Sequence, residues 1–243
     1  MSELNLNRLY NPNGKQLGVL ISGLSGSGKT TAAISSLQKA IKSKEFGENH
    51  KFVIVDPKHQ GGDWDLLADP ISDMKKFRKS IRTERVSLFY PTLEGLEREV
   101  DSIVNYLFDL ANSSEASFTF VLDEASALIQ GNKIPDGLKR VAVQGRAKRI
   151  KPVFISQRPI MNRWTDANLS SALFFRILTV DSDVMKRRWG VDFDSMSDNL
   201  NSKPYSFVFM DLETGNLNLM DPLPLPKPRP PKKKGTLTRL FKL

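Results

Sequence analysis

Gly23-Leu24-Ser25-Gly26-Ser27-Gly28-Lys29-Thr30 is a complete GxxxxGK[ST] sequence, and the apolar residues Leu17, Val19, Leu20 and Ile21 lead directly into it. A strand that ends in such a loop and continues as a helix builds a cradle for phosphate. Glycines at 23, 26 and 28 let successive backbone amides face one concave site, and the helix expected from about Lys29 adds the positive end of its dipole. In that arrangement Lys29 reaches the β- and γ-phosphates and the Thr30 hydroxyl holds magnesium, with Thr31 completing the nucleotide contacts. The alternative, a plain Gly/Ser-rich turn, would need the strand, the spacing and the Lys-Thr pair to coincide by chance. The motif implies nucleotide binding, with ATP and Mg2+ as the expected pair, and leaves open what the nucleotide is used for.

Outward from the loop, helical composition runs from Thr31 to Ser43, and Lys51-Phe-Val-Ile-Val-Asp56 reads as a strand buried on both faces of a parallel sheet. Further helices are expected over 71–81, 93–110 and from Pro135 to about Arg149, and further strands over 86–90, 117–122, 153–156, 172–178 and 205–210. Glu213-Thr-Gly215 suits a hairpin turn before a last strand over 216–220. Strands alternating with helices predict an α/β fold of the P-loop NTPase type, a mostly parallel sheet flanked by helices with an antiparallel addition at its C-terminal end. In such sheets ligands gather at the carboxyl ends of the strands. The phosphate loop, Asp56 to Lys58, Asp123-Glu124 and Gln157 all stand at those ends, so they are expected on one rim.

Composition bounds the rest. The 243 residues suit one such domain, and the absence of cysteine excludes disulfides, thiolate metal sites and cysteine nucleophiles. His50 and His59 sit in polar segments expected to be exposed, which disfavours a histidine metal site. No run of 18 apolar residues and no charged-then-apolar leader is visible, so the expectation is a cytoplasmic chain without a transmembrane segment. Of the formal charge of +9, residues 222–243 carry +7 and residues 1–221 only +2. That last segment also holds six prolines, which favour an extended backbone, so an ATPase domain over 1–221 and a basic proline-rich tail over 222–243 are expected.

Phosphoryl transfer needs a metal anchor, a group that orients the attacking water and a cation for developing charge. Asp123, at the end of an apolar strand, fits the carboxylate of the magnesium shell, and Glu124 beside it can polarise a water. Adjacent carboxylates at a strand end are also a common helix cap, but the phosphate loop favours catalysis. Gln157 can sense a γ-phosphate or align water, or merely satisfy loop backbone. For the cation the sequence offers Arg140, Arg146 and Arg149, and its pattern alone does not choose among them.

The ordered set GLSGSGKT, VIVDPKH, FTFVLDE and ISQRP, with an arginine eleven residues before the glutamine, resembles the FtsK/HerA family of hexameric DNA-pumping ATPases over roughly residues 17 to 180. The resemblance implies that Arg146 is an arginine finger serving the neighbouring subunit, that Gln157 senses the γ-phosphate, and that Asp56 and Lys58 form an accessory motif near the nucleotide. It implies a homo-oligomeric, hexameric ring acting on double-stranded DNA. The size of the chain makes it similar to the genome-packaging ATPases of membrane-containing icosahedral viruses. That branch implies a place in the host cytoplasm or at a virion packaging vertex; the basic 222–243 tail itself admits nucleic-acid phosphates, anionic lipid, docking on a capsid or membrane-vertex protein, or a solvated disordered end. A plasmid-transfer or phage-assembly motor of the same family and a small-molecule kinase are the alternatives, the kinase leaving the Asp-Glu pair and the Ser-Gln-Arg-Pro strand end unexplained.

Overall fold

The computed structural model describes residues 6–11, 18–59, 62–159 and 161–229. Nine strands form one sheet in the order β3-β4-β2-β5-β6-β1-β7-β8-β9. They are β1 (Gly18–Ser22), β2 (His50–Val55), β3 (Pro70–Ile71), β4 (Val86–Phe89), β5 (Ser117–Leu122), β6 (Ile150–Ser156), β7 (Leu169–Phe174), β8 (Phe207–Asp211) and β9 (Leu217–Met220). β3, β4, β2, β5, β6, β1 and β7 pair in parallel, and β8 and β9 add antiparallel at the far edge. The helices are α1 (Lys29–Lys42), α2 (Met74–Thr83), α3 (Leu96–Ser113), α4 (Asp136–Gln144), α5 (Arg163–Asp166), α6 (Ser182–Trp189) and α7 (Asp194–Ser202).

The alternation of side chains along each strand divides the core in two. Val53 and Val55 of β2 with Phe118, Phe120 and Leu122 of β5 face the layer of α2, α3 and α4, where Phe77, Val104 and Leu138 meet them. Phe52, Ile54 and Val121 face α1 through Ala33, Ile34 and Leu37. Both faces of the central strands are therefore dry, which is why their sequences read as unbroken apolar runs. Removing a ring such as that of Phe120 would cost about 3–5 kcal/mol through lost burial and the cavity left behind.

Several boundaries differ from the sequence reading, each for a local reason. The helix expected to reach Arg149 stops at Gln144; at Gly145, where the chain doubles back, a methyl group would collide with the carbonyl oxygens of Val141 and Ile150, so only glycine fits the tight turn. Residues 146–148 form a single 3-10 turn, and Arg149 takes a left-handed conformation at φ 55°. β6 begins at Ile150 rather than 153, with Pro152 inside a central strand. A proline cannot donate to the ladder. Here it lies beyond the β1 pairing, which starts at Val153, and its ring packs near Gly18, where a side chain would crowd it. β7 starts at Leu169, and its buried serines Ser170 and Ser171 concealed that start in a polar-looking stretch. α6 and α7 follow from a segment in which few residues, Met185 and Leu200 among them, are buried apolar anchors.

His50 is a correction. It is 2% exposed, not solvated, and its ring nitrogens bond the hydroxyls of Ser117 and Thr119, both at 2.9 Å. Burial, with Arg85 adding to it, pushes its pKa down to about 3, so the ring is neutral. His59 is exposed as expected and stacks on Tyr90.

Residues 222–229 lie against the body. Gln38 on α1 donates to the Lys227 carbonyl at 2.7 Å and accepts from its amide at 2.8 Å, Arg229 pairs with Asp69, and Leu223 packs on the α1 side of the core. The rest of the basic tail, 230–243, lies outside the described residues, as does Leu17.

Candidate nucleotide site

The carboxyl ends of β1, β2, β5 and β6 are neighbours in the sheet, and residues that follow β1, β2 and β5 meet in a pocket of about 170 Å³. Ser25, Gly26, Gly28, Lys29, Thr30 and Thr31 line it from the loop, and Asp56, Lys58, Asp123 and Glu124 from the neighbouring strand ends. Gly23, Leu24 and Ser27 support the loop from outside the pocket. Gly26 and Gly28 hold φ of 72° and 96°, a left-handed backbone that gives the loop its concave shape and that side chains oppose. Lys29 is buried and donates to the Leu24 carbonyl at 2.8 Å, so its ammonium curls back over the loop where phosphate oxygens would sit. Burial lowers its pKa, against the pull of Glu124 and Asp123.

Asp123 is 7% exposed. One of its oxygens accepts from the Trp64 indole N–H at 2.9 Å and lies 3.4 Å from the Thr30 hydroxyl, while the other accepts from the Glu124 amide at 2.8 Å. Burial raises its pKa above the ordinary carboxylate range, opposed by those N–H donors. The Thr30 hydroxyl and the Asp123 carboxylate oxygens fit magnesium. Among the described residues no cluster of three or more His, Cys, Asp or Glu could cage a metal by itself. A hydroxyl backed by one carboxylate is what an ion that keeps several waters and takes its other oxygens from phosphates requires.

Glu124 stands just past β5 at φ 47°, a left-handed conformation that costs a non-glycine residue about 1–3 kcal/mol. Its carboxylate is held by an ion pair with Lys58, by the Ser126 hydroxyl and by the Gln157 side-chain amide at 3.1 Å. Burial pushes its pKa up, but these three donors outweigh it and hold it below its ordinary value. Gln157 is thus tied to Glu124, although it does not itself line the pocket. Asp56, also buried, accepts from the Lys58 amide at 2.9 Å, and burial pushes its carboxyl up to about 6.

The three arginines separate by what they touch. Arg140 bonds Asn105 and lies over the Phe108 ring, and Arg149 bonds the carbonyls of Ala111, Ser114 and Ala116. Arg146 is exposed on its 3-10 turn, and its guanidinium makes no hydrogen bond or ion pair among the described residues. It does not line the pocket. Trp64 and Tyr205 escaped the sequence reading. The first is a lone tryptophan in a polar stretch, whose only signal was its isolation. The second was expected inside a strand but precedes β8, with its ring against Gly28.

Solved structures of other proteins share this fold. The genome-packaging NTPase B204 of Sulfolobus turreted icosahedral virus 2, in complex with sulfate, superposes with a TM-score of 0.66 at 12% identity over 87% of this chain and 99% of that one. Structures of B204 have also been determined with AMP, AMPPCP and ATP-γ-S. The chain shares the fold of this NTPase. VirB4 of Thermoanaerobacter pseudethanolicus matches with a TM-score of 0.62 at 11% identity, over 86% of this chain and 90% of that one. The cytoplasmic domain of the type VII secretion ATPase EccC from Thermomonospora curvata matches with a TM-score of 0.56 at 18% identity, over 84% of this chain and 25% of that one. At these identities the likeness is one of fold. No protein-family model and no curated protein matches the sequence. Among the described residues no helix is long and apolar enough to cross a membrane.

Proposed function

We propose that this chain is an ATP-hydrolysing motor that works as a ring and moves double-stranded DNA, with loading of a viral genome into a preformed capsid as its task. The observation that carries the reading is the division of the catalytic groups. Lys29, Thr30, Asp123 and Glu124 converge on one pocket with Gln157 bonded to Glu124 behind it, while Arg146 is exposed and has no partner among the described residues. A cation so placed can complete a neighbour's site but not its own. The fold likeness to B204, a genome-packaging NTPase, supports the choice of task.

In this reading Lys29 leaves the Leu24 carbonyl for the β- and γ-phosphates, and the loop amides hold the remaining oxygens. Thr30 and Asp123 would hold magnesium, which would supply positive charge to the phosphates. Trp64 and the Glu124 amide fix the Asp123 carboxylate so that it need not reorganise. Glu124, once released by Lys58, accepts the proton of the attacking water, and Gln157 turns its amide from Glu124 to the γ-phosphate. Arg146 of one copy meets the charge developing in the next.

ATP hydrolysis stimulated by double-stranded DNA, together with six-fold rings in negative-stain images, is the expected result. Hydrolysis indifferent to DNA in confirmed rings would reject the DNA task. The likeness to the type VII secretion ATPase EccC, one structure of which holds a signal-sequence peptide, favours a secretion motor as the second reading. Stimulation by a polypeptide rather than by DNA would choose it.

A further inference from the structure

We propose that Tyr205 is the platform on which the base of the bound nucleotide stacks. The inference deepens the nucleotide-site reading and rests on it. In the sheet order β5-β6-β1-β7-β8, the strand leading to Glu124 and the strand following Tyr205 flank the phosphate loop from opposite sides. β8 runs antiparallel to β7, with Val208 opposite Phe174, so the start of β8 lies on the same rim as the carboxyl ends of the parallel strands. With strands about 4.8 Å apart, β8 lies roughly 10 Å from β1 across the sheet. If Lys58 and Glu124 mark the γ-phosphate end of the pocket, the base and ribose leave the loop towards β8.

Tyr205 is built for that end. It is a non-glycine residue at φ 67°, a conformation that bulky side chains avoid and that persists where surrounding structure imposes it. Its neighbours do impose it. Ser206 is buried and bonds the Lys203 carbonyl at 2.6 Å, Lys203 pairs with Asp221, and Phe207 stacks on Phe175. The strained backbone sets the ring against the phosphate loop, so close that a methyl group on Gly28 would lie 2.8 Å from its Cδ1. Yet the residue remains 59% exposed, and its hydroxyl bonds nothing among the described residues. A rigid aromatic ring, pressed on a phosphate cradle on one side and open on the other, presents a flat apolar surface to a flat apolar ligand.

Stacking of a base on an aromatic side chain changes affinity by about ten- to a hundredfold and tolerates base identity, since every base has a π-face. The test compares ATP, GTP and inorganic tripolyphosphate on full-length wild type, Tyr205→Ala and Tyr205→Phe, with Lys29→Ala as control and thermal melting to verify folding. Tyr205→Ala is expected to bind ATP and GTP ten- to a hundredfold more weakly while holding tripolyphosphate as wild type does, and Tyr205→Phe to match wild type for all three. An unchanged ATP affinity in Tyr205→Ala overturns the proposal, and so does an equal loss of tripolyphosphate, which would mean that the ring only shapes the loop. Wild type that binds neither ATP nor tripolyphosphate would instead overturn the nucleotide reading beneath it.

Discussion

β2 and β5 carry polar residues at both ends, and the two ends treat them oppositely. At the amino end, His50 is enclosed by Phe46 and Phe52, and its two nitrogens are paired with Ser117 and Thr119. Thr119 in turn bonds the Tyr10 carbonyl at 2.7 Å. That network is neutral and closed. At the carboxyl end, the ionisable residues Asp56, Lys58, Asp123 and Glu124 are crowded into one open pocket and are held by one another and by Trp64, Ser126 and Gln157. The difference teaches how to tell a structural polar group from a working one. The first pairs neutrally and excludes water, whereas the second holds opposed charges in an arrangement that a ligand can rearrange.

The largest effect that sharpens this contrast lies outside both ends. Arg146→Ala should lower turnover about a thousandfold or more if the guanidinium meets a neighbour's nucleotide. Rings mixed from Arg146→Ala and Lys29→Ala subunits should regain part of the activity, because some interfaces then join an intact loop to an intact arginine. Confirmed mixed rings without recovery would restrict Arg146 to its own subunit or to no role. Next, Glu124→Gln should bind ATP but hydrolyse it about a hundred- to ten-thousandfold more slowly, as expected for loss of a general base. His50→Gln should leave turnover near wild type. Near-normal turnover in Glu124→Gln, measured at steady state, would erase the distinction between the two ends.

A smaller effect separates them by pH. The His50 pKa is depressed from 6.5 to about 3, so the unfolded chain binds a proton that the folded chain refuses. Its contribution is complete above pH 6.5 and is lost as pH falls towards 3, at about 1.4 kcal/mol per unit, or about 2 kcal/mol by pH 5. Denaturant titrations should show this slope in wild type and a shallower one in His50→Gln. Smallest is the expected effect of deleting 230–243 on DNA affinity. Five of the tail's seven cations lie there, and contact with DNA would make the salt dependence shallower by about four units on their removal. We expect a change below one unit together with loss of packaging in the complete system, as for a docking segment. A change of several units would make the tail a DNA contact.

How much of this was legible beforehand follows from physical range. The phosphate loop, the buried strands and the Asp123-Glu124 pair are local patterns, and the fold keeps them where the spacing indicated. The rim itself follows from parallel topology. What the sequence hid depends on contacts between distant residues. His50 looks solvated until Ser117 and Thr119 of another strand are beside it. Trp64 is an ordinary aromatic until its indole reaches Asp123, 59 residues away. Arg140, Arg146 and Arg149 read alike until two of them are seen to be occupied. α6 and α7 lack a clear apolar period because few of their residues face the core.

The strap formed by residues 222–229 has a mechanical consequence. Its attachments, the two-way amide pairing of Gln38 with Lys227 and the ion pair of Arg229 with Asp69, lie between the end of the chain and β9. A pull on the C-terminus therefore loads the Asp69 segment and α1 first and reaches the sheet edge only after both attachments and the packing of Leu223 yield. Because they are few and exposed, the strap should peel at low force and release eight residues, roughly 25–30 Å of extended chain, before the sheet unravels. Single-molecule stretching from the C-terminus would record that short step, and Gln38→Ala would lower its force. The strap would then act as a fuse, sparing the nucleotide site when a tethered tail is strained.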